Sequence, residues 1–241
     1  MKISVFILSV FLLSSCAAVY IPNARNAPML SKKGEFQTSA TVDPFINVNT
    51  QTAYAVSNHV GVMANGLYVH TSDNENEYKN QHLYGEVGAG YFYNYKNFYF
   101  DAWGGYGIGK TKAIDWGSFF DASGTSTWSV TYQGMYEKYF IQPGFAIKRK
   151  NLHYGFVHRF SLLNFSGVSG LDENKEAISF IKTNQFFYEP SFVFKVFIKQ
   201  FYFTTQAGFS LPLGKTDNNL NFMPFQFSVG VGVRLNFIKE K

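Results

Sequence analysis

The chain has 241 residues, of which 15% are charged and 19% aromatic, with 27 Phe, 16 Tyr, 21 Gly and 7 Pro. That is fewer charges than the roughly 25% of an ordinary soluble domain and more aromatics than a disordered chain carries, while a mean hydropathy of -0.10 excludes a helical membrane protein. The formal net charge of +5 is dispersed; its short runs, Lys32-Lys33 and Lys148-Arg149-Lys150, argue against a nucleic-acid partner.

Residues 1–15 have the make-up of a secretory leader. Lys2 supplies the positive end, and Ile3 to Leu13 supply an apolar stretch too short to span a bilayer as a mature helix. Leu13-Ser14-Ser15-Cys16 is similar to the lipobox of bacterial lipoproteins, which implies cleavage before Cys16 and acylation of its sulfur. Ordinary secretory cleavage beside Cys16-Ala17-Ala18 is the alternative. Cys16 is the one cysteine, so no internal disulfide or cysteine zinc site can form. Residues 16–33 hold two prolines and no period, and read as an extended tether.

From residue 34 to the end at 241 the pattern is a single domain of period 2. Strands are expected at 34–43, 46–57, 59–70, 82–93, 97–109, 130–148, 152–163, 184–199, 201–211 and 225–237, about ten in all. The last is the clearest. Phe225, Phe227, Val229, Val231, Val233, Leu235 and Phe237 share one face, and Gln226, Ser228, Gly230, Gly232, Arg234 and Asn236 share the other. Within 130–148 the phase drifts near Gln142-Pro143-Gly144, where a bulge is expected because proline removes a ladder donor. Tight turns at 57–58, 95–97, 148–151 and 199–200 alternate with longer polar connections near 71–80, 114–129, 166–183 and 214–223. The first connection, at Asp43-Pro44, is short. Aromatics crowd the tight-turn ends on the apolar face, among them Tyr91, Tyr93, Phe98, Phe100, Phe156, Phe201 and Phe237.

Sorted loop lengths, an even strand count and an aromatic girdle favour an all-β, antiparallel up-and-down transmembrane barrel over a soluble sandwich. The chain resembles the small outer-membrane β-barrel superfamily, of OmpA-like and OmpW-like plan. The segment Gly230-Val-Gly232-Val-Arg-Leu235-Asn-Phe237 is similar to the signal read by the barrel-assembly machinery, with Gly232, Leu235 and Phe237 at its key positions; Leu235 stands where an aromatic is usual, and Ile238 to Lys241 follow Phe237. Tyr20-Ile-Pro-Asn23 with Asn26-Ala-Pro28 resembles the segment after the lipobox in some barrel lipoproteins. The resemblance implies a bacterial outer-membrane location, partnership with membrane lipid and with the assembly machinery, and an amino terminus and tether on the periplasmic side.

The polar face should line the lumen, with a charge network of Glu86, Asp101, Arg159, Glu189, Lys195 and Arg234. A barrel of about ten strands is little wider than its own side chains fill, so these charges should pair inside a plugged interior. Glu86 and Asp101, on neighbouring strands, admit an acid–base pair but equally a cation between them. His70 and His82 fall on opposite faces, no ligand spacing for a metal is present, and no nucleophile elbow or phosphate loop occurs. The expectation is a structural envelope protein or narrow pore without catalytic residue, metal or cofactor. An enzyme in the same fold, and a lipid-tethered carrier with an apolar interior, remain as alternatives.

Overall fold

The computed structural model describes residues 18–73, 78–121, 124–171, 177–179, 184–214 and 222–238. The leader 1–15 and Cys16 lie outside the described residues. The strands are β1 (Glu35–Val42), β2 (Val48–Ala55), β3 (Val60–Asp73), β4 (Tyr78–Tyr95), β5 (Phe98–Asp121), β6 (Gly124–Arg149), β7 (Leu152–Leu171), β8 (Ala177–Ser179), β9 (Asn184–Ile198), β10 (Phe201–Phe209), β11 (Leu211–Leu213) and β12 (Phe225–Asn236). Each strand from β1 to β7 pairs antiparallel with the next, β7 pairs with β9, β9 with β10, β10 with β12, and β12 with β1. The result is a closed antiparallel barrel of ten strands; β8 is a short partner of β7, and β11 extends the β9 pairing. Closure gives each of the ten strands a paired neighbour on both sides.

The apolar stripe faces out and the polar stripe faces in. Phe201, Val231 and Phe237 are 56%, 57% and 64% exposed, whereas Gln226 and Ser228 of β12 and Gln206 of β10 are buried. On β5 the outer face is apolar from Phe98 to Ile108 and ends at Lys110, a length close to the 9–11 residues with which a tilted strand crosses about 25–30 Å of hydrocarbon. On β1 and β2, where the outer face carries threonines, Thr38 and Thr52 hydrogen-bond each other at 3.1 Å.

The wall is uneven. β1 and β2 have 8 residues each, whereas β5 has 24 and β6 has 26. β4 to β7 therefore run into segments expected to be loops, and the β5–β6 ladder continues to Asp121 opposite Gly124. Alternation vanishes from the sequence there, but backbone pairing does not need it. The tight turns fall at one mouth, with Lys96, Lys150 and Lys199 at positive φ (55°, 46° and 57°); the longer connections fall at the other. The short β1–β2 connection is closed by Asp43, whose Oδ1 accepts from Phe45 N and Asn47 N, both at 2.9 Å, and whose Oδ2 accepts from Asn47 Nδ2 at 2.6 Å.

The bulge expected at Gln142-Pro143-Gly144 is absent. Ile141 faces Phe160 and Gly144 faces Val157, so register holds across the proline; the shift lies instead between Gln133 and Met135. Pro143 and Pro190 flank the same stretch of β7; the β6–β7 pairing skips Gln142 and Pro143 without adding a residue, and the β7–β9 pairing runs on through His158 opposite Pro190.

Inner-face glycines on β5 admit bulky neighbours from β4 and β6. A Cβ at Gly107 would lie 2.4 Å from Tyr84 Oη, and one at Gly109 would lie 2.2 Å from Tyr136 Cζ. On the outer face, a Cβ at Gly104 would meet only Phe140 O, at 3.8 Å. Gly109→Ala should therefore lower stability by about 1–3 kcal/mol through overpacking, and Gly104→Ala should leave it within about 0.5 kcal/mol. Urea unfolding in detergent, read as loss of the compact species on unheated gels, separates the two; equal midpoints would refute the packing assignment.

Candidate functional site

Among the described residues, buried polar side chains gather in the lumen, which holds more than wall side chains. Ala18 to Leu30 are buried throughout and thread the barrel lengthwise. This corrects the reading of 16–33 as an extended periplasmic tether: from Ala18 to Leu30 the segment runs inside the barrel. The tight-turn mouth holds its later end. There Asn94 Nδ2 donates to Leu30 O at 3.1 Å, Lys148 Nζ to Ser31 Oγ at 2.8 Å, and Lys33 N to Asn58 Oδ1 at 3.0 Å. The long-loop mouth holds its earlier end, where Met223 N donates to Tyr20 O at 3.0 Å and Tyr20 forms a parallel bridge with Phe222.

An unpaired extended backbone in a water-poor interior must find partners. Inward amide side chains provide them. Gln206 clasps Arg25 from both sides, accepting from its N at 2.9 Å and donating to its O at 3.0 Å. Gln226 donates to Pro22 O at 3.0 Å, Gln142 to Asn26 O at 2.8 Å, and Asn49 accepts from Ala24 N at 2.8 Å.

Two buried carboxylates organise the middle of the lumen. Glu86, on β4, takes a two-pronged contact from Arg159 of β7, with both N–O distances 3.0 Å. It also accepts from Tyr84 (2.6 Å), Asn65 (2.7 Å) and Asn23 of the threaded segment (3.0 Å). Arg159 donates onward to Gln142 at 2.8 Å and to Asn23 at 3.2 Å. Glu189, on β9, lies 3.0 Å from Lys138 Nζ and 3.5 Å from Arg25, and accepts from Tyr20 Oη (2.7 Å), Ser161 (2.6 Å) and Ser210 (3.2 Å). Lys138 also donates to Tyr20 Oη at 2.8 Å, and Arg25 donates to Gln226 and to Phe209 O.

Of the six expected network residues, Glu86, Arg159 and Glu189 meet in this belt. Asp101, Lys195 and Arg234 lie nearer the tight-turn mouth. Asp101 accepts from Trp103 Nε1 at 2.8 Å, Lys195 donates to Gln37 at 3.2 Å, and Arg234 stacks over the Phe197 ring at 4.1 Å. Glu86 and Asp101 form no acid–base pair: Glu86 sits opposite Gly107 and Asp101 opposite Phe92, well apart along the β4–β5 ladder. Lys138 escaped the sequence reading because the inner face of β6 also carries Tyr136 and Phe140 and its outer face Glu137, which blurs the alternation, and Arg25 because it precedes the first strand. An arginine and two asparagines within a short segment were the available signal.

Apolar layers close the belt on both sides. Toward the tight turns, Ala27, Met29 and Leu30 pack with Ala53, Met63, Phe92, Trp103 and Phe140. Toward the long loops, Ala18 to Ile21 pack with Leu67, Tyr84, Tyr136, Leu163, Phe165 and Phe187. His82 is buried with its Nε2 2.7 Å from Tyr136 Oη, whereas His70 is on the outer face; among the described residues no cluster of His, Cys, Asp or Glu is arranged to hold a metal.

The chain matches no known protein-family model and no curated protein.

Removing one partner of a buried pair strands the other, at about 3–5 kcal/mol. Glu189→Ala, which strands Lys138 and Arg25, should lower the unfolding midpoint by an amount in that range, and Glu86→Gln should do the same through Arg159. The double change Glu86→Gln with Arg159→Met should recover a substantial part of the Glu86→Gln loss. Additive losses in this double-mutant cycle would disprove the pairing.

Proposed function

We propose that the protein is an integral barrel of the bacterial outer membrane, closed to solutes, with a structural role in the envelope. The observation that carries this reading is the inversion of its surfaces: an apolar, aromatic-rich exterior around a polar, ion-paired interior. In water, such an exterior would leave a contiguous apolar band far larger than soluble monomers expose. In hydrocarbon, a closed sheet with every strand paired is one of two ways a chain can cross. The sorting of tight turns and long connections to opposite mouths supports an orientation with the turns in the periplasm. Exposed Tyr91, Tyr93, Tyr95, Phe98, Phe100, Phe201 and Phe203 supply a girdle at the tight-turn end.

A carrier of hydrophobic ligands needs an apolar cavity, and here the threaded segment and a charge belt occupy the interior. A pore needs a continuous wet path, and two apolar layers flank that belt. Catalysis needs a group free to meet substrate, and the two central carboxylates, Glu86 and Glu189, each have cations and hydroxyl or amide donors around them. Membrane lipid and the assembly machinery are the partners this reading requires, the latter meeting Gly232, Leu235 and Phe237 on the last strand; no cofactor is needed.

Membrane fractions washed with carbonate should retain the protein, and unheated samples should migrate as a compact form. Release into the soluble fraction would end the membrane reading. Val231→Lys, on the outer face of β12, should cost about 2–4 kcal/mol if it lies near the bilayer midplane; a neutral effect would count equally against it.

Planar bilayers should show no discrete channel events from the full protein. Deletion of residues 20–30, in a variant that still migrates as a compact form, should produce them. Steady conductance from the full protein would replace the structural role with a pore.

A further inference from the structure

The direction of the threaded segment determines where the chain before it must lie. Ser31 and Lys33 are at the tight-turn mouth, where the side chain of Glu35, the first residue of β1, accepts from Ser31 N at 2.8 Å. Arg25 is at the charge belt. Tyr20 is at the opposite end, joined to Phe222 and Met223 just before β12 begins, and Ala18 and Val19 belong to the apolar layer on that long-loop side. Read backwards, the chain crosses the barrel from the tight turns to the long loops.

Cys16 is two residues before Ala18, and consecutive Cα atoms are about 3.8 Å apart, so that stretch of chain can span no more than about 8 Å. Returning to the tight-turn mouth would require recrossing about 25 Å of packed lumen. The rim also has a feature suited to lipid. The β1–β2 connection, at the low side of the wall, presents Phe45 and Ile46 outward, Ile46 81% exposed and held at φ 63°. An apolar β-branched residue at positive φ is an uncommon, strained arrangement, and here it places a greasy tip beside the long-loop mouth.

The geometry points to a barrel whose lumen delivers its own amino terminus to the long-loop face, so that the lipid implied for Cys16 enters the leaflet on that side, over the low rim near Phe45 and Ile46. The opposite placement, with amino terminus and acyl chain beside the tight turns, is the arrangement a simple tether would give. The inference rests on the outer-membrane reading only for the statement that the long-loop side is the cell exterior; the shared side of amino terminus and long loops rests on the threading itself.

Three full-length variants test it, each checked for the compact form on unheated gels. One carries an epitope inserted after Ala17, one an epitope in the β3–β4 connection at position 75, and one an epitope after Lys241. Antibody should bind the first two on intact cells with no gain on permeabilisation, and the third only after permeabilisation. If the amino-terminal epitope behaves like the carboxy-terminal one while the loop epitope labels intact cells, the inference is overturned. If the loop epitope itself stays hidden until permeabilisation, the membrane orientation has failed. In that case the threading stands only if the amino-terminal and loop epitopes remain together on one side, opposite the carboxy-terminal one. Should the amino-terminal insertion prevent folding, Ala17→Lys, probed on intact cells with an amine-reactive polyethylene glycol too large for porins, gives the same answer: modification at position 17 supports the long-loop placement, and modification only after permeabilisation overturns it.

Discussion

A peptide lying inside a closed barrel has no neighbouring strand, so its amides and carbonyls must be met by side chains or remain unpaired at a cost of about 1–3 kcal/mol each. That constraint explains the composition of the inner wall. Gln206, Gln226, Gln142, Asn49 and Asn94 project inward from five different strands, and each meets a backbone group between Pro22 and Leu30. An amide side chain both donates and accepts, and Gln206 does both toward one residue. The wall thus acts as a set of single rungs replacing the continuous ladder of a paired strand.

The same constraint orders the lumen along its length. Apolar residues of the threaded segment meet apolar wall at each end, and its polar residues meet the charged belt between them. Glycines at Gly107 and Gly109 are the counterpart of this filling: they leave space beside β5 for the rings of Tyr84 and Tyr136, which reach the belt and the long-loop layer. On the outer face the alternation persists across the apolar band, and beyond it the backbones of β5 and β6 stay paired as far as Asp121 opposite Gly124.

Much of the wall was legible because period 2 registers a physical difference between two surroundings. All ten barrel strands lie where the alternation puts them, as does the outward direction of Phe201, Val231 and Phe237. Legibility failed where that difference fades. Past the apolar band the sequence of β5 and β6 has no alternation to show, although their backbones stay paired. Pro143 signals a lost donor, but a lost donor at a ladder position needs no extra residue, so the bulge did not follow. The threaded segment was misread because two prolines and no period describe a tether and a plug equally well. What distinguishes them is complementarity with residues more than a hundred positions away, such as Arg25 with Glu189 and Asn26 with Gln142. No local pattern carries that.

Buried ion pairs are a weak source of stability, since well-packed apolar residues of similar volume often do as well or better. The belt therefore needs another justification, and register supplies one. Ile21, Met29 and Leu30 bury apolar surface, but apolar contacts tolerate sliding. Polar contacts do not. Each polar residue of the segment meets its own wall partners, so a slip of one residue would take Arg25 from Glu189 and Gln226, Asn23 from Glu86 and Arg159, and Tyr20 from Lys138. Each displaced partner would stay buried. A slip of two would set Asn23 or Ala27 where Arg25 had been and take a cation from Glu189, leaving it Lys138 and the hydroxyls of Ser161 and Ser210. The pairs fix one depth for the segment in the barrel, and with it the position of everything that precedes Ala18.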